Sequence, residues 1–395
     1  MTKYAIIVPD GAADLPLDVF DGKSVIEAAM TPNMDEIAIK GKQGIAVTVP
    51  PSLTPGSDVA MMSLLGYDPL LYYSGRAPLE AVAQDIKLGP NDWVFRCNLV
   101  TIADGHLADH SAGHISTKEG ATLIKELAAK LNAPHIHFYP GLSYRHLCVI
   151  VGIAFKVTTT PPHDIIGEKV SRHLPHGKGA EVLTEIMEQS QALFAEHDIN
   201  KVRTDLGENP VSSVWLWGEG QKAVLERFSS RFGLKGAAIT AVDLVKGLAK
   251  LIGFDLITVP GATGYFDTNY KGKGAAAVKA LAKYDLVFVH VEAPDEAGHA
   301  GNAQMKKRSL ELIDEHIVGP VHKALKKYDS YRILVMPDHP TPVQTRAHSR
   351  DPVPFAMAGH AIQGVLHKPF CEKNAYESGF RVDNGYEMME YFLKI

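Results

Sequence analysis

The sequence predicts an α/β fold, a doubly wound and mostly parallel sheet interrupted by a smaller inserted α/β domain. Apolar runs alternate with amphipathic helical stretches toward both ends of the chain, three of those runs end in acidic residues, and the middle third has a different texture. The three runs are Ile6-Ile7-Val8-Pro9-Asp10, then Val287-Phe288-Val289-His290-Val291-Glu292-Ala293-Pro294-Asp295 with His299, and Ile333-Leu334-Val335-Met336-Pro337-Asp338-His339. Runs of this kind read as strands buried on both faces, and ligands of an open α/β sheet gather outside the strands' carboxyl ends. Segments far apart in the chain are therefore expected to meet at one rim.

After the first strand, Thr31-Pro32-Asn33 reads as a helix start, with Thr31 as N-cap and Pro32 at the first helical position, and the helix stops at Gly41. Gly44 to Val49 reads as a strand. The segment Pro50-Pro51-Ser52-Leu53-Thr54-Pro55-Gly56 cannot continue as regular structure, and Gly56 permits a sharp entry. It delivers the chain to Ser57, from which Val59, Ala60, Met61, Leu64 and Leu65 have helical spacing up to Gly66. Ser57 is thus expected at a helix N-terminus. Between residues 95 and 225, strand-like pieces such as Leu99 to Ile102 and Leu147 to Val151 alternate with helices such as Thr117 to Leu131 and Ala180 to His197. None of those strand ends carries the acid and histidine pattern, so 95–225 reads as the inserted domain and 1–94 with 226–395 as the domain that carries the acid-ended strands. The sheet pattern resumes with Ala237 to Thr240, a helix around Val242 to Ile252, the run Leu256 to Pro260, a helix from Gly274 to Tyr284, and the two remaining acid-ended strands.

With 46% hydrophobic and 22% charged residues, 395 residues suffice for two cored domains. A net charge of −5 gives no support for nucleic acid as a partner. The odd, scattered Cys97, Cys148 and Cys371 suggest neither a disulfide framework nor a structural zinc site. The first apolar run is too short for a secretory signal, and no run approaches the roughly 18 to 20 residues that span a bilayer, so no membrane partner and a cytoplasmic location are expected.

Asp295 and His299 are four apart, so one helical turn places both on one face. Asp338 and His339 are adjacent at a strand end, and His348 follows nine residues on. With Asp10 the rim carries three carboxylates and three imidazoles, the donor set of a two-metal centre rather than of a lone zinc. A helix N-terminus at Ser57 favours an alkoxide and its phosphate ester, and a metal on the hydroxyl would remove the need for a catalytic triad. The local sequence around Ser57 fits a simple N-cap serine equally well.

Asp10-Gly11, Thr54-Pro55-Gly56-Ser57-Asp58, Leu65-Gly66-Tyr67-Asp68-Pro69, Tyr73-Ser74-Gly75-Arg76-Ala77-Pro78, Asp295-Glu296-Ala297-Gly298-His299 and Pro337-Asp338-His339 together resemble the cofactor-independent phosphoglycerate mutases of the archaeal type, in the alkaline phosphatase superfamily. The resemblance covers essentially the whole chain. It implies a sheet of alkaline-phosphatase type, two divalent ions (manganese, zinc, cobalt or magnesium) and no 2,3-bisphosphoglycerate. By position, Asp295, His299 and His348 resemble the ligands of one ion, and Asp10, Ser57, Asp338 and His339 those of the other. Ser57 would take the phosphate from one phosphoglycerate, and the reoriented glycerate would take it back on its other hydroxyl. The site must then exclude water, which gives the inserted domain the role of a cap. Its candidate substrate residues are His114, Arg145 and His146, with Asp164 as proton carrier, joined by Lys235 near the return to the sheet and Arg76 from the sheet domain.

Ser111-Ala112-Gly113-His114, Thr160 to Asp164 and Trp215 to Gly218 look closer to a bacterial branch of the family proposed to act as homoserine kinase. The alternative is therefore an ATP-dependent small-alcohol kinase using the same serine and metals, and a metal-dependent hydrolase would differ mainly in whether water reaches the phosphoserine. His135 and His137, alternating with apolar neighbours, read as packing residues, and Trp215 and Trp217 as core. Gly272-Lys273-Gly274 and Gly177-Lys178-Gly179 do not fit the full phosphate-loop pattern and receive no nucleotide role.

Overall fold

The computed structural model describes residues 2–394. The chain divides into two compact units, one built from the residues up to Tyr73 together with those from Val224 on, the other from Ser74–Ala223. Among the described residues no helix is long and apolar enough to cross a membrane.

The larger unit is built on an eight-stranded sheet. Its strands are β1 (Lys3–Pro9), β2 (Lys42–Ala46), β3 (Gly236–Ile239), β4 (Asp255–Leu256), β5 (Leu286–Val291), β6 (Tyr331–Val335), β7 (Val353–Gly359) and β8 (Arg381–Val382), in the spatial order β4-β3-β5-β1-β6-β7-β2-β8. The five strands from β4 to β6 in that order run parallel, β7 runs antiparallel to both neighbours, and β8 is parallel to β2. Every residue of β5 is buried, as expected for a parallel strand covered on both faces. One face packs Ile7, Val289, Ile333 and Val335 with Leu310, Ile317, Val321 and Leu325 of the following helices. In β1, Pro9 lies beside Val291 of β5 and Ile7 beside Val335 of β6, so Asp10, Glu292 and the exit toward Asp338 leave the sheet at one rim.

Local expectations were adjusted where tertiary partners intervene. The strand expected from Gly44 is β2, shifted toward the N-terminus, and the run from Leu256 to Pro260 contributes only the two residues of β4 before Val259-Pro260-Gly261 turns. The helix Pro32–Lys40 does have Pro at its start, but the Thr31 side chain makes no cap. Its first N–H groups go instead to Asp314, whose carboxylate accepts from Asn33 N at 3.2 Å and Met34 N at 2.8 Å.

The smaller unit is an antiparallel sheet around the strand Trp93–Ala103, flanked by Arg145–Ile150 and Ser213–Gln221. The helices Thr117–Leu131 and Ala180–Phe194 bury Leu123, Leu127, Leu183 and Ile186 against it, with Trp215 and Trp217 in the same core. The helix Arg76–Ala83 belongs here too, because Ala77 and Ala81 pack on Val94, Leu147 and Val149. A boundary at 94/95 would cut through the central strand. His135 and His137 are exposed rather than packed, since their side of the edge strand Ile136–Tyr139 is left to solvent.

Candidate metal centre

The loops leaving β1, β5 and β6 bring the candidate residues together. Asp10, Asp338 and His339 are fully buried, and Asp295 and Ser57 nearly so. One oxygen of Asp338 is held by the Gly11 N–H at 3.0 Å, while Oδ2 has no hydrogen-bond partner. Asp10 is divided in the same way. Its Oδ2 is 2.6 Å from His290 Nε2, while Oδ1 has no partner and lies 3.6 Å from His339 Nε2. His339 Nε2 stands 3.1 Å from Ser57 Oγ and 3.3 Å from Asp338 Oδ2. Buried carboxylate oxygens are rarely left unpaired, and two of them aimed at one imidazole nitrogen, which itself stands by the Ser57 hydroxyl, form a pocket for a cation.

The second set is Asp295, His299 and His348. His299 Nε2 is 3.2 Å and His348 Nε2 3.4 Å from the Asp295 oxygens, and the two Nε2 atoms are 2.9 Å apart. Each imidazole has its Nδ1 against a backbone carbonyl, His299 on Arg346 at 3.0 Å and His348 on Pro55 at 3.4 Å. Neutral rings therefore carry their proton on Nδ1 and point Nε2 lone pairs at each other and at a carboxylate. Only a positive charge makes that arrangement favourable, and carboxylate and imidazole donors fit a divalent transition ion. Each set has its donor atoms within 4.8 Å of one another.

The electrostatics carry the same message. Burial, with Asp338, Glu292 and Asp295 nearby, pushes the Asp10 carboxyl well above its ordinary range. Burial acts upward on Asp295 also, but hydrogen bonds from His299 and His348 outweigh it and hold that carboxyl well below the usual value. Burial lowers His299, yet Asp295 overrides it and lifts the ring to about 9.

Ser57 opens the fully buried helix Ser57–Leu64. Its Oγ is 3.5 Å from Asp10 Oδ2, where the first unpaired N–H groups of the helix favour negative charge. Gly56 precedes it with an extended backbone, φ 174°, so it is not needed for a sharp entry. A Cβ there would sit 2.8 Å from Asp58 Oδ1, and space is what the glycine supplies.

Several residues that shape this centre had no signal as site residues in the sequence. His290, inside β5, is fully buried; its Nε2 engages Asp10 and its Nδ1 lies 3.0 Å from Thr240 Oγ1. Burial, then the nearby Lys273, lowers His290 well below its usual range and keeps it neutral. Lys273, in the helix Tyr270–Ala280, is buried and donates to the His290 carbonyl at 3.0 Å, which accounts for the glycine-flanked lysine without a nucleotide. Glu292 has a buried unpaired oxygen, and burial beside Asp295 raises it to about 8.

In the smaller unit, His114, Arg145 and Asp164 do fall in one grouping. His114 and His110 have ring centroids 6.1 Å and 5.7 Å from Tyr144, and the Arg145 guanidinium lies 5.5 Å from the same ring. His110 is 6.3 Å from His163, which is 3.7 Å from Asp164 and 5.2 Å from Trp217. The loop carrying the two first histidines holds Ala112 and His114 at φ 49° and 50°, a conformation costly for side-chain-bearing residues. It is fixed by Asp109, which accepts from Ser111 N and Gly113 N, both at 2.7 Å. Arg96, with its guanidinium 4.3 Å from the Trp217 ring, joins the grouping and was missed because it lies inside a strand.

Three expectations are corrected. His146 is buried with its Nδ1 accepting from Gly141 N at 3.0 Å and its ring against Gly120, so it packs under a helix and cannot reach a substrate. Lys235 precedes β3 and is bound at the opposite end of the strands from the metal rim. Its N–H donates to Asp285 Oδ2 at 2.9 Å and its Nζ is 3.9 Å from Asp255. Arg76 belongs to the smaller unit rather than the sheet unit, and its Nε lies 3.3 Å from Glu80, which also holds Arg96 at 3.1 Å.

A serine at a helix N-terminus beside two clusters of carboxylates and imidazoles, all at the carboxyl rim of a parallel sheet, has the layout of a phosphoryl-transfer site with candidate positions for divalent ions. A family model described as 2,3-bisphosphoglycerate-independent phosphoglycerate mutase matches residues 38–200. The chain is 46% identical over 392 residues, 99% of both proteins, to the mutase of that name from Methanothrix thermoacetophila. It is 50% identical over 357 residues, 90% of both proteins, to the one from Methanosarcina mazei. The solved cofactor-independent phosphoglycerate mutase of Thermoplasma acidophilum matches it with a TM-score of 0.67 at 26% identity, over 100% of this chain and 99% of that one. The chain belongs to the 2,3-bisphosphoglycerate-independent phosphoglycerate mutases, a family of isomerases. The homoserine kinase alternative gains no support, since these relatives are named as mutases.

Proposed function

We propose that this protein interconverts 3-phosphoglycerate and 2-phosphoglycerate through a phosphoserine at Ser57, with two divalent ions and without 2,3-bisphosphoglycerate. The observation that carries the reading is Ser57 Oγ standing 3.1 Å from His339 Nε2 at the start of a buried helix, next to carboxylate oxygens with no partner. Asp295, His299 and His348 would hold one ion, and Asp10, Asp338, His339 and the Ser57 oxygen the other. Bound there, such ions supply Lewis-acid charge that lowers the serine's pKa and neutralises phosphoryl oxygens; manganese is our reading of the physiological one.

Ser57 Oγ attacks phosphorus, the bond to one glycerate oxygen breaks, and that oxygen takes up a proton. The glycerate turns, its other hydroxyl loses a proton as it attacks the phosphoserine, and Ser57 leaves as the alkoxide. One proton passes between two oxygens of the same glycerate, and Asp164 with His163 are our candidates for carrying it. Arg145 supplies the positive charge that a glycerate carboxylate requires, with His110 and His114 as hydrogen-bonding neighbours. The setting we assign is the cytoplasm, the partner a small anionic metabolite.

The test is turnover of 3-phosphoglycerate to 2-phosphoglycerate by the manganese-loaded protein with no bisphosphoglycerate added, followed through enolase. Ser57→Ala is expected to lose at least about 10⁴-fold in kcat while still binding ions. An active Ser57→Ala protein would sink the phosphoserine route.

A further inference from the structure

We propose that Thr341 is a positioning residue that couples the two ion sites, its single hydroxyl orienting one ligand of each. The inference rests on the two-ion reading above and concerns a residue outside both ligand sets.

Thr341 follows His339 by two residues and is fully buried. Its hydroxyl donates to Asp295 Oδ1, and the same Oγ1 lies 3.3 Å from His339 Nδ1. A hydroxyl has one proton, and an ionised carboxylate can only accept it. His339 must therefore be the donor in the second contact, with its proton on Nδ1. This tautomer leaves the lone pair on Nε2, the atom 3.1 Å from Ser57 Oγ and 3.3 Å from Asp338 Oδ2. The relay runs from His339 Nδ1–H to Thr341 Oγ1–H to Asp295, from a ligand of one ion to a ligand of the other.

The threonine is also held so that it cannot turn away. Its N–H donates to the Gly11 carbonyl at 3.3 Å, and its own carbonyl accepts from Lys306 Nζ at 2.8 Å. The Lys306 ammonium, fully buried, also reaches the Ala13 carbonyl at 3.3 Å and Asp14 Oδ2 at 2.7 Å, tying the loop after β1 to the loop after β6. On the remaining side, Gly298 brings the ligand helix so close that a Cβ there would lie 2.8 Å from the Thr341 methyl. Outer partners of this type orient ligands and tune affinity, and their loss typically costs about 10–100-fold in metal binding.

The experiment compares the wild-type full chain with Thr341→Val, which keeps the shape and deletes the hydroxyl, and Thr341→Ser, which keeps the hydroxyl. Manganese stoichiometry and affinity are read by competition with a chromogenic chelator, and spin coupling between the two ions by electron paramagnetic resonance. Thr341→Val is expected to bind at least one ion about 10–100-fold more weakly and to lose the coupled signal, while Thr341→Ser stays close to wild type. If the valine protein does not fold, Thr341→Ala is compared with Thr341→Ser in the same way. Two ions bound by the hydroxyl-free variant at wild-type affinity would overturn the inference, as would a serine variant as impaired as the valine one. A wild-type protein that binds no manganese would instead overturn the two-ion reading itself.

Discussion

Gly11 and Asp295 approach so closely that a Cβ on the glycine would lie 2.5 Å from the Asp295 Oδ1 and 2.7 Å from its Cα. The glycine also has φ +62°, in the left-handed region, and its N–H holds Asp338. One residue without a side chain thus lets a ligand from each set sit against the same turn. Gly11→Ala is expected to destabilise the fold by at least about 1–3 kcal/mol from backbone strain alone and to bind fewer than two ions. Calorimetry with and without manganese, beside metal analysis, checks both; a variant that melts and loads like wild type would contradict the geometry.

His299→Ala removes one of three donors from the Asp295 set and none from the other. Metal analysis is expected to fall from two ions toward one, with the thermal stabilisation by manganese reduced but still present. At a hundredfold excess over Kd, one site contributes about 2.7 kcal/mol, so the loss of a single increment is measurable. Complete loss of metal would mean that the two sets fill only together.

Lys306 and Asp14 form an ion pair with both side chains fully buried. Lys306→Met leaves the Asp14 carboxylate without its cation, and the expected cost is about 3–5 kcal/mol. Adding Asp14→Leu should recover part of that loss, because the uncompensated charge goes with it. Urea unfolding of the two variants decides, and a double variant no better than the single would show that packing, not charge, dominates.

Burial lowers the His146 imidazole from its ordinary value to about 4. The folded state holds it neutral, while the unfolded chain takes up a proton below about pH 6.5, so its contribution is complete above that pH and is lost as pH falls from 6.5 toward 4. The window is worth about 3 kcal/mol at most. His146→Asn should therefore flatten the acid side of the stability curve relative to wild type, with KM for phosphoglycerate unchanged at neutral pH. Arg145→Ala, one residue away on the other face of the strand, should raise KM instead. A His146 variant that shifts KM and leaves the pH profile alone would restore it to the substrate site.

The sequence by itself determined the parallel sheet and the expectation that Asp10, Asp295, His299, Asp338, His339 and His348 gather at one rim, because both follow from local pattern, whereas Ser57 stood out only through the family resemblance, its local sequence fitting a plain N-cap equally well. Apolar runs declare buried strands, and in a parallel sheet every carboxyl end reaches the same rim, so an acid at the end of such a run has its place settled by topology. Lys235 precedes β3 and so stands at the opposite rim, a placement the same rule gives once Gly236–Ile239 is taken as a parallel strand. Where that logic does not hold, only the tertiary structure decided. Arg145 and His146 alternate across an antiparallel strand, and which face met the core depended on helices packed from elsewhere. Asp314 caps a helix some 280 residues away, and Thr341 and His290 reach their partners across loops and between strands. Such contacts depend on angles and distances set by the whole packed sheet, whereas local sequence encodes which surfaces are apolar and where the chain must turn.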